Sequence, residues 1–545
     1  MRPFSVRAEA EPQPAYAIEE AAPARNRVRM LALGVFAVLL LLAGRAVQLA
    51  FAGDPLAEPR ASRAAIALPR GDIVDRNGVL LATTVRAYAL TATPSRVWDA
   101  PAIADALRRV FPDLDRETTI RRLTDTSRRL VYLRRGLTPE QRTSVHDLGL
   151  AGIGFEAEHH REYPQGTLAA HALGFTDVDL NALSGVERGL DAEIRAAGAE
   201  GRAVRLSLDV RIQYALEEEL AAAARATHAS GGAAILLDGR TGETLAMASW
   251  PAFDPNAAGA APANARRDRV AGDLHELGST IKPFTVAMAL QEQATRSGEL
   301  FNLTTPYVVD GSSIQDHERV EGMATLGDIL AYSSNVGAAR LSVRLGGVRQ
   351  RSYLDRLGLT SAATLELGRN QAPIAPQART RRDVAGLGFG YGLAATPASL
   401  AGAYTVFAND GARVAPTLRA TAPDAPVERT PVFSPEVSRQ LLVYLRQVVT
   451  EGTGRAADVP GLLVAGKTGT AEKFSGAAGY DDSRNFSSFA GVFPANDPRY
   501  VIVLALDDTG AGAAGGMVAA PAVSRTLRRI APMLGLRVEA RGPAR

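Results

Sequence analysis

Ser279-Thr280-Ile281-Lys282 follows Gly278 directly and opens an apolar stretch from Phe284 to Leu290. On a helix, a serine and a lysine three positions apart share one face, so the amine can take the hydroxyl's proton and convert it into an acylating nucleophile. Serine is also a common helix N-cap, so the tetrapeptide alone has a second, purely structural reading. Two further elements weigh against that reading. Ser333-Ser334-Asn335, on a helix-prone stretch, offers a hydroxyl for proton relay and an amide to hold a substrate carbonyl. Lys467-Thr468-Gly469-Thr470 follows the strand-like run Leu462 to Ala465. Strand alternation puts Thr468 and Thr470 on one side, suited to a carboxylate, while Gly469 leaves room for a substrate backbone. The Ser279 and Thr470 amides are candidates for an oxyanion hole.

The basic residues sharpen this reading. Of 61 Lys+Arg only Lys282, Lys467 and Lys473 are lysine, which leaves 58 arginines, a bias that fits GC-rich coding. A desolvated ammonium can lose its proton and a guanidinium cannot, so a general base resists the exchange to arginine. Two of the three surviving lysines lie inside the motifs. Lys467 can also act by supplying positive potential near a substrate carboxylate, and Lys473 lies outside the three motifs.

Other chemistries are poorly supported. Gly461 to Thr468 matches a phosphate-loop pattern formally, and Val501 to Asp507 imitates the strand that accompanies one, but the intervening residues form an apolar strand rather than a polar turn. Gly388 to Gly392 reads as a turn, and Ser483-Arg484-Asn485 repeats the second motif in the wrong order. With no cysteine, disulfides and thiolate chemistry are excluded. The seven histidines show no His-Glu-x-x-His spacing, so no metal or other cofactor is expected. A formal charge of +3 without basic-aromatic blocks gives no support for nucleic acid as a partner.

These residues need elements to position them. Ile73 to Leu81 encloses Asn77-Gly78 and reads as a hairpin, as do the runs flanking Asp238 to Gly242. Val204 to Asp209 reads as a strand and Val210 to Arg225 as an amphipathic helix. Helices near 282–293 and 325–345 and strands at 462–471, 486–493 and 500–508 complete a mixed α/β layout with an antiparallel sheet. At the N-terminus, Met30 to Gly44 is apolar, and the run continues through Arg45 to Ala52, long enough for the roughly 20 residues that a bilayer needs. Arg25, Arg27 and Arg29 before it and Asp54 after it put the N-terminus inside and the rest outside. The expected organisation is a cytoplasmic tail (1–29), a transmembrane anchor (30–52), a non-catalytic domain (53–205), a catalytic domain (206–535) and a C-terminal tail (536–545). A cleaved signal peptide is the rival, because Ala50-Phe51-Ala52 resembles a small-residue cleavage site, although Arg45 interrupts what would be its apolar core.

From the membrane segment onward the chain resembles the class B penicillin-binding proteins, whose signature is a Ser-x-x-Lys, Ser-x-Asn and Lys-Thr-Gly trio. Arg70 to Gly78, Arg161-Glu162-Tyr163-Pro164, Ala170-His171 and Gly185-Val186-Glu187 are similar to the motifs of that family's elongated, non-catalytic pedestal (dimerisation-type) domain. Glu276-Leu277-Gly278-Ser279 departs from the usual Glu-Pro-Gly-Ser by one residue. Gly390-Tyr391-Gly392, Thr396-Pro397 and Ala471-Glu472-Lys473 also look like family positions. The resemblance implies a serine β-lactamase-like transpeptidase domain, its antiparallel sheet flanked by helices. In it Ser279 attacks the penultimate D-alanine carbonyl of a peptidoglycan stem pentapeptide, with Lys282 as base and Ser333 and Lys467 as relay. Asn335, Thr468, Gly469 and Thr470 hold the substrate. β-Lactams are covalent inhibitors by the same implication.

Segments 161–191 and 206–256 look most like the division-specific, penicillin-binding protein 3 type, with the elongation-specific type as runner-up. That type implies an inner-membrane protein with a periplasmic catalytic domain at the division septum. Its partners there would be a membrane glycan polymerase of the SEDS family and other divisome proteins. A penicillin-binding sensor or scaffold and a D-alanyl-D-alanine carboxypeptidase are the alternatives. The absence of a Glu-x-x-Leu-Asn pattern between Ser333 and Lys467 argues against efficient hydrolysis.

Overall fold

A computed structural model describes residues 21–51, 69–317, 320–422, 424–474, 480–510 and 514–538. The chain divides into two units, Met1–Ile66 and Ala67–Arg545. In the first, helix α1 spans Ala21–Phe51. No helix among the described residues is long and apolar enough to cross a membrane. The expected anchor at 30–52 falls on α1 as far as Phe51. Most of the expected tail at 1–29, the segment 52–68 and the end of the C-terminal tail from 539 lie outside the described residues.

The second unit contains two five-stranded sheets. The first comprises β1 (Asp72–Val74), β2 (Leu80–Ala92), β3 (Val131–Leu137), β4 (Ile153–Glu162) and β5 (Ala203–Arg205). The hairpin expected at Ile73 to Leu81 joins β1 to β2. Its turn is fixed by Asp75, whose Oδ1 accepts the amides of Asn77 and Val79, both at 2.8 Å, and Gly78 takes φ +89°. The expected strand at Val204 to Asp209 ends at Arg205, because Asp209 instead caps α2 (Val210–Ala226) by accepting the Arg211 amide.

Three of the four resembled motifs meet in one buried ionic cluster. Glu187 accepts from Arg70 Nε at 2.9 Å and from Arg161 Nε at 2.6 Å, while Arg70 also pairs with Asp191. Arg161 donates onward to Gly71 O at 2.8 Å, tying β4 to the start of β1. Arg70 and Glu187 are 0% exposed. Removing one partner of a buried ion pair leaves its charge uncompensated. Glu187→Gln should therefore lower the melting temperature of the chain by several degrees, as loss of roughly 3–5 kcal/mol would. An unchanged melting curve would show that the cluster adds nothing to stability.

The second sheet runs β8-β9-β10-β6-β7, all antiparallel, with β6 (Gly231–Asp238), β7 (Thr244–Trp250), β8 (Ala465–Phe474), β9 (Tyr480–Phe493) and β10 (Tyr500–Asp507). β6 and β10 are buried along their whole length because helices cover both faces. Ile235 and Val503 join one core with Phe284 of α3 (Lys282–Gln291), Ala398 of α6 (Pro397–Tyr404) and Leu441 of α7 (Pro435–Thr450). Leu236 and Leu504 face the other way, with Leu216 of α2 and Leu527 of α8 (Ala519–Ile530). Two expected elements differ in ways that matter for the site. The helix expected at 325–345 is broken into α4 (Leu326–Ala331) and α5 (Asn335–Leu345), and the break carries Ser333 with φ +58°. The strand expected from 462 begins at Ala465, since Leu463 takes φ +51°.

Candidate active site

Ser279 lies on a short 3-10 turn, Gly278–Ile281, that runs directly into α3. Pro283 fits the first turn of α3, where an amide donor is not required. The turn is held from several sides. Leu277 N donates to Leu393 O at 3.0 Å, and Tyr404 Oη donates to Thr280 O at 2.8 Å. A Cβ on Gly390 would lie 2.2 Å from Gly278 O, so the Gly388 to Gly392 turn is a buttress that only a glycine lets approach this closely.

Ser333 is the hub of the site. Its Oγ donates to Ser279 Oγ at 2.9 Å, accepts from Lys282 Nζ at 3.1 Å and accepts from Lys467 Nζ at 3.0 Å. Lys282 also donates to Ser333 O and, at 2.7 Å, to Asn335 Oδ1. The helix break explains how one serine meets three partners. A left-handed residue between α4 and α5 turns its side chain out of both helices and toward the nucleophile. Since a hydroxyl rotates freely, Ser279 can also be the donor, and its proton can pass through Ser333 to an amine.

Both lysines are 0% exposed. Burial pushes Lys282 well below the usual lysine range, and the neighbouring Lys467 charge adds to this. Burial alone lowers Lys467 to about 7. An amine that is neutral near physiological pH is a base, so the pair can accept the proton that Ser279 gives up.

The remaining expected residues are brought together only in part. Lys467, Thr468, Gly469 and Thr470 all lie on β8, the edge strand beside the Ser279 turn. The bare side of Gly469, however, faces inward. A Cβ there would sit 2.8 Å from Thr280 Cγ2 and 2.5 Å from Ser488 Oγ, so the glycine serves the close approach of β8 to the Ser279 turn. Thr468 is buried and its hydroxyl pairs with Thr453 at 2.7 Å, whereas Thr470 is exposed and its hydroxyl accepts the Gly515 amide at 3.1 Å. The Asn335 amide group donates to Gln315 O at 3.3 Å while its oxygen holds Lys282. The side chain of Lys473 lies outside the described residues.

Asp316 was not identified from the sequence. Its carboxylate accepts from the Asn335 and Val336 amides at the start of α5, and from Ser334 Oγ at 2.7 Å. It thereby fixes the turn that carries Ser333. Nothing local marks it, because it stands in a loop with no motif of its own.

A serine wired through a second serine to two buried amines, at the edge of an antiparallel sheet, has the geometry that serine acyl transfer needs. Residues 232–528 match the description "Penicillin binding protein transpeptidase domain" and residues 65–195 match "Penicillin-binding Protein dimerisation domain". A probable peptidoglycan D,D-transpeptidase FtsI of Caulobacter vibrioides is 40% identical, the match covering 86% of this chain and 82% of that protein. Peptidoglycan D,D-transpeptidase FtsI of Escherichia coli is 33% identical, over 84% and 82% respectively. The crystal structure of penicillin-binding protein 3 from Mycobacterium tuberculosis, complexed with aztreonam, superposes with a TM-score of 0.68 at 26% identity, covering 87% of this chain and 98% of that one. The chain belongs to the penicillin-binding protein family, among its peptidoglycan D,D-transpeptidases.

Asp316→Asn keeps the shape of the side chain but removes the charge that holds three donors. The variant should fold normally and be acylated by a β-lactam roughly tenfold more slowly, the size expected for one weakened charge-assisted hydrogen bond. Stopped-flow acylation checks this, and a wild-type rate would remove Asp316 from the account of the site.

Proposed function

We propose that the chain cross-links peptidoglycan at the division septum through a Ser279 acyl-enzyme. Ser279 attacks the penultimate D-alanine carbonyl of a stem pentapeptide, the terminal D-alanine leaves, and an amine of a neighbouring stem resolves the ester. Lys282 is the base, and Ser333 and Lys467 relay protons between nucleophile and leaving group. The Ser279 and Thr470 amides polarise the carbonyl. Asn335, Thr468, Gly469 and Thr470 shape the substrate's bed, with Thr470 the exposed member whose hydroxyl, while accepting from Gly515, still has a proton to donate. The single observation that carries these roles is the hydrogen-bonded path from Ser279 through Ser333 to two buried lysines.

The division role rests on the likeness to proteins named FtsI and to penicillin-binding protein 3. With it come a single-pass inner-membrane anchor at 30–52, a cytoplasmic tail at 1–29 and a pedestal at 53–205. A transpeptidase domain at 206–535 works in the periplasm beside a SEDS-family glycan polymerase and other divisome proteins. Arg25, Arg27 and Arg29 before the apolar run and Asp54 after it support that orientation. A fluorescent fusion in dividing cells tests the role. It should gather at midcell, and an even distribution along the side wall would assign the chain to elongation instead. Mass spectrometry of the mature protein tests the anchor, since Gly53 as first residue would mean a cleaved signal peptide.

A further inference from the structure

A cavity of about 370 Å³, lined by none of the site residues above, lies where the motif-bearing segment around 171–188 meets the loop that leads to the nucleophile. Its lining includes Arg188, Arg266, Arg267 and Arg369 against two carboxylates, Asp268 and Asp273. Asp273 is already engaged, held by Arg267 at 2.5 Å and by Arg269 at 2.9 Å. Burial pushes the Asp268 carboxyl up to about 6, and its Oδ1 is occupied by the Val270 and Ala271 amides at 2.9 and 3.3 Å. Burial likewise pushes His171 down to about 4, which leaves a neutral imidazole bonded to Ala265 O at 2.7 Å. Among the described residues, the Arg188, Arg266 and Arg369 side chains form no ion pair.

The backbone brings the stem of Arg188 against the segment that carries Arg369. A Cβ on Gly189 would lie 2.2 Å from Glu366 O, and one on Gly368 would lie 2.7 Å from Arg188 Cγ. Two glycine contacts thus seat the Arg188 stem on the residue preceding Arg369. Several guanidiniums lining one concavity repel one another, and an anion shared among them relieves that repulsion. A guanidinium fork matches the oxygens of a phosphate group with paired hydrogen bonds.

We propose that this cavity binds a small phosphate-bearing anion, with a diphosphate as the best match to several arginines lining one concavity. The ligand's source is either a free diphosphate or the diphosphate of a lipid-linked molecule, and the two share this chemistry. The cavity wall is continuous with the segment before the nucleophile. Gln371 N donates to Ala271 O at 2.9 Å, joining the Arg369 segment to the loop that runs through His275 and Glu276 into the Ser279 turn.

The test is calorimetric titration of the full chain in detergent with sodium pyrophosphate at low salt. Saturable one-to-one binding is expected, weakening as salt rises. It should weaken about a hundredfold in Arg188→Gln/Arg369→Gln, roughly tenfold per charged contact. The rate of β-lactam acylation should stay unchanged in that variant, which shows that it is folded. If the double variant does not fold, the single variant Arg266→Gln, on an exposed loop outside the glycine contacts, is read in its place. Farnesyl diphosphate bound more tightly than pyrophosphate would assign the site to a lipid-linked ligand, and equal affinities to a free one. No saturable binding by the wild-type chain, or binding untouched by loss of the arginines, would overturn the proposal.

Discussion

Ser279→Ala should abolish covalent labelling by a fluorescent penicillin, with a loss of roughly 10³-fold or more, while the melting curve stays within a degree or so of wild type. The size follows from the chemistry. A β-lactam ring is opened by an oxygen nucleophile, and among the described residues only Ser279 has a hydroxyl that reaches two buried amines through one relay, Ser333. Ser333 itself could be suspected of taking over. Its carbonyl and hydroxyl both accept from Lys282, and its left-handed backbone pins it between two helices, which suits a relay better than an attacking group that must move onto a substrate carbon. Persistent labelling of a folded Ser279→Ala chain would transfer the nucleophile's role elsewhere.

Lys282→Arg should be nearly as damaging as Lys282→Ala, each slowing acylation by roughly 10²–10⁴, the range that a positioned general base contributes. Arginine keeps a positive charge but cannot become the neutral base, and its fork would have to fit where Lys282 is 0% exposed. The arginine-rich composition makes the exchange a pointed one, since 58 of 61 cationic positions already carry arginine. Read from composition, Lys467 could act as a mere source of positive potential and so tolerate arginine. Its amine sits on Ser333 Oγ at 3.0 Å and is fully buried, so Lys467→Arg should fail as well. The second-order rate of acylation measures all three variants, and a near wild-type rate for Lys282→Arg would show that this lysine is not the base.

The sequence made the parts of the site legible where chemistry demands a residue type at a fixed spacing. Ser279 with Lys282 and Lys467 with Gly469 are read from short-range pattern, as are the Asn77-Gly78 hairpin and the fully apolar central strands. It was silent where tertiary contact decides. Helical propensity runs unbroken from 325 to 345, yet the chain breaks at Ser333, because Thr325 and Ser334 each cap a separate helix and Asp316 gathers the second helix's first amides. Gly469 reads as space for a substrate, and the fold also needs that space for Ser488 and for Thr280, the latter nearly 190 positions earlier in the chain. The pedestal motifs could be recognised as structural, but nothing in their spacing shows that Arg70, Arg161 and Glu187 converge on one buried cluster.

The most direct test of the central claim is to give the purified chain a stem-pentapeptide donor and an acceptor amine and to count cross-linked product against released D-alanine. Cross-links and D-alanine should appear in equal amounts, cease in Ser279→Ala and be blocked by prior exposure to a β-lactam. D-Alanine released without cross-links would make the chain a carboxypeptidase, and penicillin labelling with no D-alanine released at all would make it a binding protein that does not turn over.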